Sequence, residues 1–96
     1  MQTIYSTHAR ARLLERGIAE VAVDRLLSSP TLDGRAMGDA RFAAGSVLVG
    51  ARRDWLVVIY KDVPNRRIVL TAYVGVPHKR SIDAEQRAAE RVISAP

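Results

Sequence analysis

The sequence predicts an α+β domain, with two N-terminal helices packed on a roughly four-stranded antiparallel sheet and a short C-terminal helix. Three observations lead there. In the first third of the chain apolar residues recur at helical spacing, most clearly Val23, Leu26 and Leu27. Three strand-like runs then follow between Ser46 and Val74, joined by loops short enough to demand antiparallel neighbours. From Asp83 a helical period returns. This order predicts helices on one face of the sheet and leaves the other face available.

The first helix is expected over residues 7–16. Ser6 or Thr7 can cap it, since either side-chain oxygen accepts from a free backbone N–H, and Gly17 suits the left-handed residue that ends it. Wound at about 100° per residue, His8, Arg12, Glu15 and Arg16 fall on one side. Ala9, Ala11, Leu13 and Leu14 spread over the other, with Arg10 as the misfit. A second helix runs from about Ala19 to Ser29, with Val21 and Ala22 widening the apolar stripe, and stops at Pro30. Ala19 is a poor cap for it.

Residues 31–45 read as a loop, with a short strand near Thr31–Gly34 and a weak one near Arg41–Ala43. Strands are expected over Ser46–Arg52, Trp55–Lys61 and Arg67–Val74, with turns at Arg53-Asp54 and at Asp62–Arg66. WLVVIYK is apolar on both faces, as a central strand should be. Strict alternation in the last strand puts Ile68, Leu70, Ala72 and Val74 on one face and Arg67, Val69, Thr71 and Tyr73 on the other. Residues 75–80 break the pattern. Asp83 and Gln86 form a capping-box variant for the last helix, whose stripe is Ala84, Ala88, Ala89, Val92 and Ile93. Residues 1–75 carry the α+β framework, and 76–96 add a loop and helix to the same domain.

Ninety-six residues support one domain with a modest core, and 48% hydrophobic against 26% charged residues is the balance of a globular chain. No apolar run approaches the ~20 residues of a membrane span. The absence of cysteine rules out disulfides and thiolate zinc sites and fits the cytoplasm, either of the producing cell or of a target cell after delivery. The net charge is +5, and 13 of the 15 basic residues are arginine, the side chain best suited to bidentate phosphate contact. An anionic partner, nucleic acid first, is therefore favoured over a membrane, although a GC-rich genome also spells basic surface as arginine.

Metal chemistry is disfavoured by two histidines 70 positions apart with no clustered carboxylates. No glycine-rich phosphate loop and no nucleophile elbow is present. Metal-independent cleavage of RNA remains, because RNA supplies its own 2′-OH nucleophile and needs only an acid or base and positive charge at the phosphate. His8 can exchange the proton, Arg12 one turn on can hold the phosphate, and Thr71 and Tyr73 can supply donors from the sheet. Each also has a plainer role: a helix-start histidine is commonly a packing residue, and Thr and Tyr favour strands regardless. His78, in an exposed basic loop, is the only other histidine.

The segment Ser6-Thr7-His8-Ala9-Arg10-Ala11-Arg12-Leu13-Leu14-Glu15-Arg16-Gly17-Ile18, followed by a second helix ending at Pro30, resembles a family of small bacterial domains of unknown function. That family's N-terminus reads S-x-H-A-x-x-R-x-x-x-R-G-I, and a later strand ends in V-T-x-Y, here Leu70-Thr71-Ala72-Tyr73. The similarity spans about residues 4–74, with Ala19 standing where a capping Ser is usual. The family is grouped with the barnase, EndoU, colicin and RelE-like ribonuclease-toxin fold. The resemblance implies two helices against an antiparallel sheet and points to His8, Arg12, Thr71 and Tyr73.

The resulting expectation is a metal-independent toxin-type ribonuclease without cofactor. RNA (tRNA or mRNA) would lie across the open sheet face, with Arg16, Arg52, Arg53, Arg66 and Arg67 as its electrostatic footprint and an acidic antitoxin or immunity protein as partner. The alternative is a non-catalytic nucleic-acid- or protein-binding module of the same fold. If the first helix covers the opposite sheet face, His8 and Thr71 can meet only at an edge. If His8 is buried, or lies more than roughly 15 Å from Thr71 and Tyr73, the catalytic reading falls.

Overall fold

A computed structural model describes residues 2–94. The elements are β1 (Gln2–Tyr5), α1 (Thr7–Arg16), α2 (Glu20–Ser28), β2 (Leu32–Arg35), β3 (Arg41–Val49), β4 (Arg52–Val63), β5 (Arg66–Val74) and α3 (Lys79–Ser94). One five-stranded sheet has the order β1-β5-β4-β3-β2. It is mixed, because β1 pairs parallel to β5 while every other pairing is antiparallel. The expectation of about four antiparallel strands missed β1. Its four residues show no period of their own, and only the register Gln2↔Arg66 to Tyr5↔Val69 makes them a strand.

The N-terminal helices follow the sequence closely. Ser6 caps α1, its Oγ accepting from the Ala9 N–H at 3.0 Å, and Gly17 ends the helix at φ 67°. No side chain caps α2 at Ala19. Leu14, expected on the apolar side of α1, is 86% exposed. Only the narrower Ala9–Leu13 stripe reaches the core, because α1 runs along β5. Val21 is likewise exposed, and Ala22, Val23 and Leu26 carry the burial of α2.

The middle of the chain departs further. Residues 41–49 form one nine-residue strand rather than a loop and a separate run. Small residues hid it: a Cβ on Gly45 would stand 2.7 Å from Leu26 Cδ1, so β3 is thinned where α2 presses on it. The β3–β4 turn is Gly50-Ala51, with Gly50 at φ 63°, and not Arg53-Asp54, which are already in β4. The β4–β5 turn falls at Pro64-Asn65 as expected, with Asn65 at φ 68°. α3 starts at Lys79, four residues before Asp83. Gln86 is therefore not a capping partner. It is fully buried, donating to the Met37 carbonyl at 2.9 Å and accepting from the Met37 N–H at 2.8 Å. The buried stripe of α3 is Ile82, Gln86 and Ala89; the side chains of Val92 and Ile93, expected in it, lie outside the described residues.

The largest correction concerns the faces of the sheet. β4 is buried on both, as a central strand should be: Leu56 and Val58 pack with Ala9, Leu13, Val23 and Leu26, while Val57 and Ile59 pack with Ile82 and Ala89. Helices α1 and α2 cover one face and α3 covers the other, so the face expected to be open is closed. Alternation in β5 also breaks. Tyr60 pairs with Val69 and Ile59 with Thr71, leaving Leu70 as the extra residue of a β-bulge. Thr71 and Tyr73 thus face α3, whereas Arg67 and Val69, expected beside them, point the other way. The Arg67 guanidinium sits 4.4 Å from the Tyr60 ring centroid and bonds Asp62 at 2.7 Å.

Tyr5 ties β1 to α2. Its hydroxyl donates to Asp24 Oδ1 at 2.5 Å, with the Glu20 carbonyl at 3.2 Å. Burial, then this carboxylate, pushes the phenol pKa well above its ordinary value. Replacing Tyr5 with Phe keeps the buried ring and removes the bond. A hydrogen bond to a charged acceptor contributes about 1.5–3 kcal/mol, so Tyr5→Phe should lower unfolding free energy by about that much in urea titration, without changing the m-value.

Candidate functional site at the edge of the sheet

β1 covers only the first half of the outer edge of β5. Beyond Val69, α1 takes over that edge with side chains instead of a strand. The Ser6 N–H donates to the Val69 carbonyl at 3.0 Å, and Ser6 Oγ donates to the Leu70 carbonyl at 3.2 Å. Ten residues later, Arg16 Nη1 donates to the Ala72 carbonyl at 2.6 Å. The helix is therefore bonded to β5 on both sides of Thr71, and His8 lies between the two attachment points. His8 thus stands along the β5 edge, on a helix whose core contacts lie on the opposite sheet face from Thr71.

α3 closes this edge from its own side. Arg16 Nη2 and Nη1 reach Glu85 Oε1 and Oε2 at 3.1 and 3.2 Å, a two-pronged contact from α1 to α3. Among the described residues the buried side-chain polar atoms without a protein hydrogen-bond partner are His8 Nε2, Thr71 Oγ1 and Tyr73 Oη. The three residues are 7%, 0% and 8% exposed, so His8 is buried, the condition set against a catalytic role. A buried polar group left without any partner costs about 1–3 kcal/mol.

Burial lowers the His8 pKa, and Arg12 and Arg16 lower it further against the opposing pull of Glu85 and Glu15. The imidazole is thus neutral at pH 7, with an unpaired ring nitrogen. Burial raises the phenol pKa of Tyr73; the His78 backbone opposes this without reaching full hydrogen-bond geometry, and Glu85 adds to it. A cleft of about 560 Å³ opens beside Tyr73, His78, Ser81 and Glu85.

Arg16 thus joins α1 to β5 at Ala72 and to α3 at Glu85, and His8, Thr71 and Tyr73 are buried on the elements it links. Arg12 stands on the same helix, paired with Glu15 at 2.6 Å. The expected arginine footprint is not a single patch. Arg52 and Arg53 lie at one end of β4, while Arg66 and Arg67 pair with the other. Twelve residues of strand separate the ends by about 36 Å at 3.3 Å per residue. Arg53 is turned onto the Ser46 carbonyl, and Arg67 is held by Asp62. Sequence reasoning missed Glu85, which has no signal apart from its helix, and the approach of the His78 loop to Tyr73. Among the described residues no three His, Asp or Glu side chains converge as a metal site would need, and no helix is long and apolar enough to cross a membrane.

Residues 5–74 match the family model described as "Domain of unknown function (DUF4258)". The chain belongs to this family. No curated protein and no solved structure matches it. The DUF4258 segment holds His8, Arg12, Arg16, Thr71 and Tyr73, and ends before α3.

Two measurements check the site's energetics. A histidine whose folded pKa lies below its unfolded value makes the native state bind fewer protons between those two values. Stability should therefore fall as pH drops below about 6.5 and level off once the folded pKa is passed. Urea midpoints should show that fall in the wild type and lose it in His8→Leu. Thr71→Val removes an unpaired buried hydroxyl at nearly constant shape, so it should leave stability unchanged or raise it by about 1 kcal/mol.

Proposed function

We propose that this DUF4258 domain is a metal-independent ribonuclease of toxin type, acting at the α1–β5 edge. The observation that carries the reading is the set of three unpaired buried polar atoms, on His8, Thr71 and Tyr73, beside the Arg16 guanidinium. Such groups are costly in a merely structural role and are what a phosphodiester site needs. Neutral His8 takes the 2′-OH proton as that oxygen attacks phosphorus. Arg12 and Arg16 stabilise the phosphorane charge, and Thr71 and Tyr73 orient the phosphate. The departing 5′-oxygen then receives a proton, leaving a 2′,3′-cyclic phosphate. His8 is buried, which removes catalysis by the closed form; the ribonuclease reading therefore requires α3 to move aside and expose it, since the sheet face itself is filled. The resemblance of Ser6–Ile18 and Leu70–Tyr73 to the ribonuclease-toxin grouping supports the same chemistry, with an acidic antitoxin or immunity protein as the natural partner.

The burial of His8 and Thr71 favours a second reading, a nucleic-acid- or protein-binding module of the same fold with a structural histidine. Incubation of the purified protein with total RNA in EDTA separates the two. Cleavage that drops by about 10²–10⁴-fold in folded His8→Ala supports the ribonuclease. RNA bound tightly, left intact, and bound equally by His8→Ala supports the module and removes the enzyme.

A further inference from the structure

The Arg16 side chain links α1, β5 and α3. It starts on α1, donates to the Ala72 carbonyl of β5, and grips Glu85 of α3 through both terminal nitrogens. The fork geometry that holds two carboxylate oxygens also holds two oxygens of a phosphate. His8 on the same helix, and Thr71 and Tyr73 on either side of Ala72, are more than nine-tenths buried with polar atoms that lack a protein partner, and a cleft lined by Tyr73, His78 and Glu85 opens to solvent. The rest of α3 is held by few polar ties among the described residues: Gln86 to the Met37 backbone, and Glu90 with Lys61 at 3.8 Å. Its apolar anchors there are Ile82 and Ala89. α3 also lies outside the residues that match the family.

We propose that Arg16 is an oxyanion subsite for a phosphodiester and that the Glu85 carboxylate fills it from within the chain. α3 is then an intramolecular competitor, which a polyanion must displace from Arg16 before it reaches His8, Thr71 and Tyr73. This rests on the reading of the α1–β5 edge as a phosphate site, and it names what holds that site shut.

The test uses the full chain and two probes: inorganic phosphate, and a fluorescent all-2′-deoxy decanucleotide that cannot be cleaved by 2′-OH attack. Glu85→Gln removes the competing charge and keeps the side-chain shape. It should tighten binding of both probes by about tenfold, the scale of one charge-assisted bidentate contact. Asp33→Asn makes the same change in net charge on exposed β2, at the opposite edge of the sheet, and should move binding by less than about twofold. Adding Arg16→Ala to Glu85→Gln should abolish the gain. The Arg16 Nε resonance should shift saturably with phosphate, at a lower midpoint in Glu85→Gln than in the wild type. If Glu85→Gln does not fold, Glu85→Asp, which shortens the reach by one methylene, should tighten binding in the same direction by a smaller factor.

Equal affinity in wild type and variant, or equal tightening by Asp33→Asn, overturns the proposal. Tighter binding by Glu85→Gln without RNA cleavage keeps the occlusion and removes the nuclease. Cleavage by the wild type that Glu85→Gln does not accelerate keeps the nuclease and overturns the occlusion.

Discussion

The outer edge of β5 has carbonyls that need donors, and β1 is too short to serve them all. Its pairing stops at Val69, while β5 continues to Val74. A sheet edge left bare inside a fold costs the desolvation of its backbone groups, so something must finish the job. Here the chain turns at Ser6 and runs a helix along the remainder, donating from Ser6 at one end and Arg16 at the other. That requirement fixes where α1 lies, and α1 fixes where His8 and Arg12 lie. The bulge at Leu70 falls at the same point, where strand pairing hands over to side-chain pairing, and it turns Thr71 and Tyr73 to the α3 side.

The polar junction follows from this handover. One wall is the helix that completes the edge, the second is the bulged strand, and the third is the helix that covers the far face. Each wall is secured by ordinary means: Ser6 capping α1, the β4–β5 ladder, and Ile82, Gln86 and Ala89 seated on the sheet. The cost is concentrated where the walls meet. Stability and the proposed chemistry therefore pull against each other at Thr71 and His8, the pattern expected where a fold keeps polar groups for use rather than for packing.

How much of this was legible in the sequence depends on the range of the signal. α1 and α2 were readable because their caps, stops and periods are local: Ser6, Gly17 and Pro30 act within a turn of where they stand. The Pro64-Asn65 turn was readable for the same reason. β1 was not, because Gln2–Tyr5 becomes a strand only through a partner more than 60 residues away. β3 was hidden by Ala43, Ala44 and Gly45, which are poor as local strand formers; Gly45 makes room for Leu26 on one face, and Ala44 packs on the α3 side. The bulge was invisible because strict alternation is the only rule a single strand offers, and breaking it moved Arg67 to the wrong side of the sheet. His8, Thr71 and Tyr73 were singled out by chemistry and resemblance, and their burial, which depends on α1 and α3 closing over β5, had no local signal. Glu85 was missed because its partner, Arg16, lies 69 positions away.

The two-sided burial of β4 has a consequence for relatives built differently. Val57, Ile59 and Leu70 are shielded by α3, which lies beyond the residues that define the family. A chain that carried only the family segment would present those side chains to water as a continuous greasy plane, a surface that invites self-association. In this chain α3 is the roof over that plane, so the family segment is completed by residues outside it.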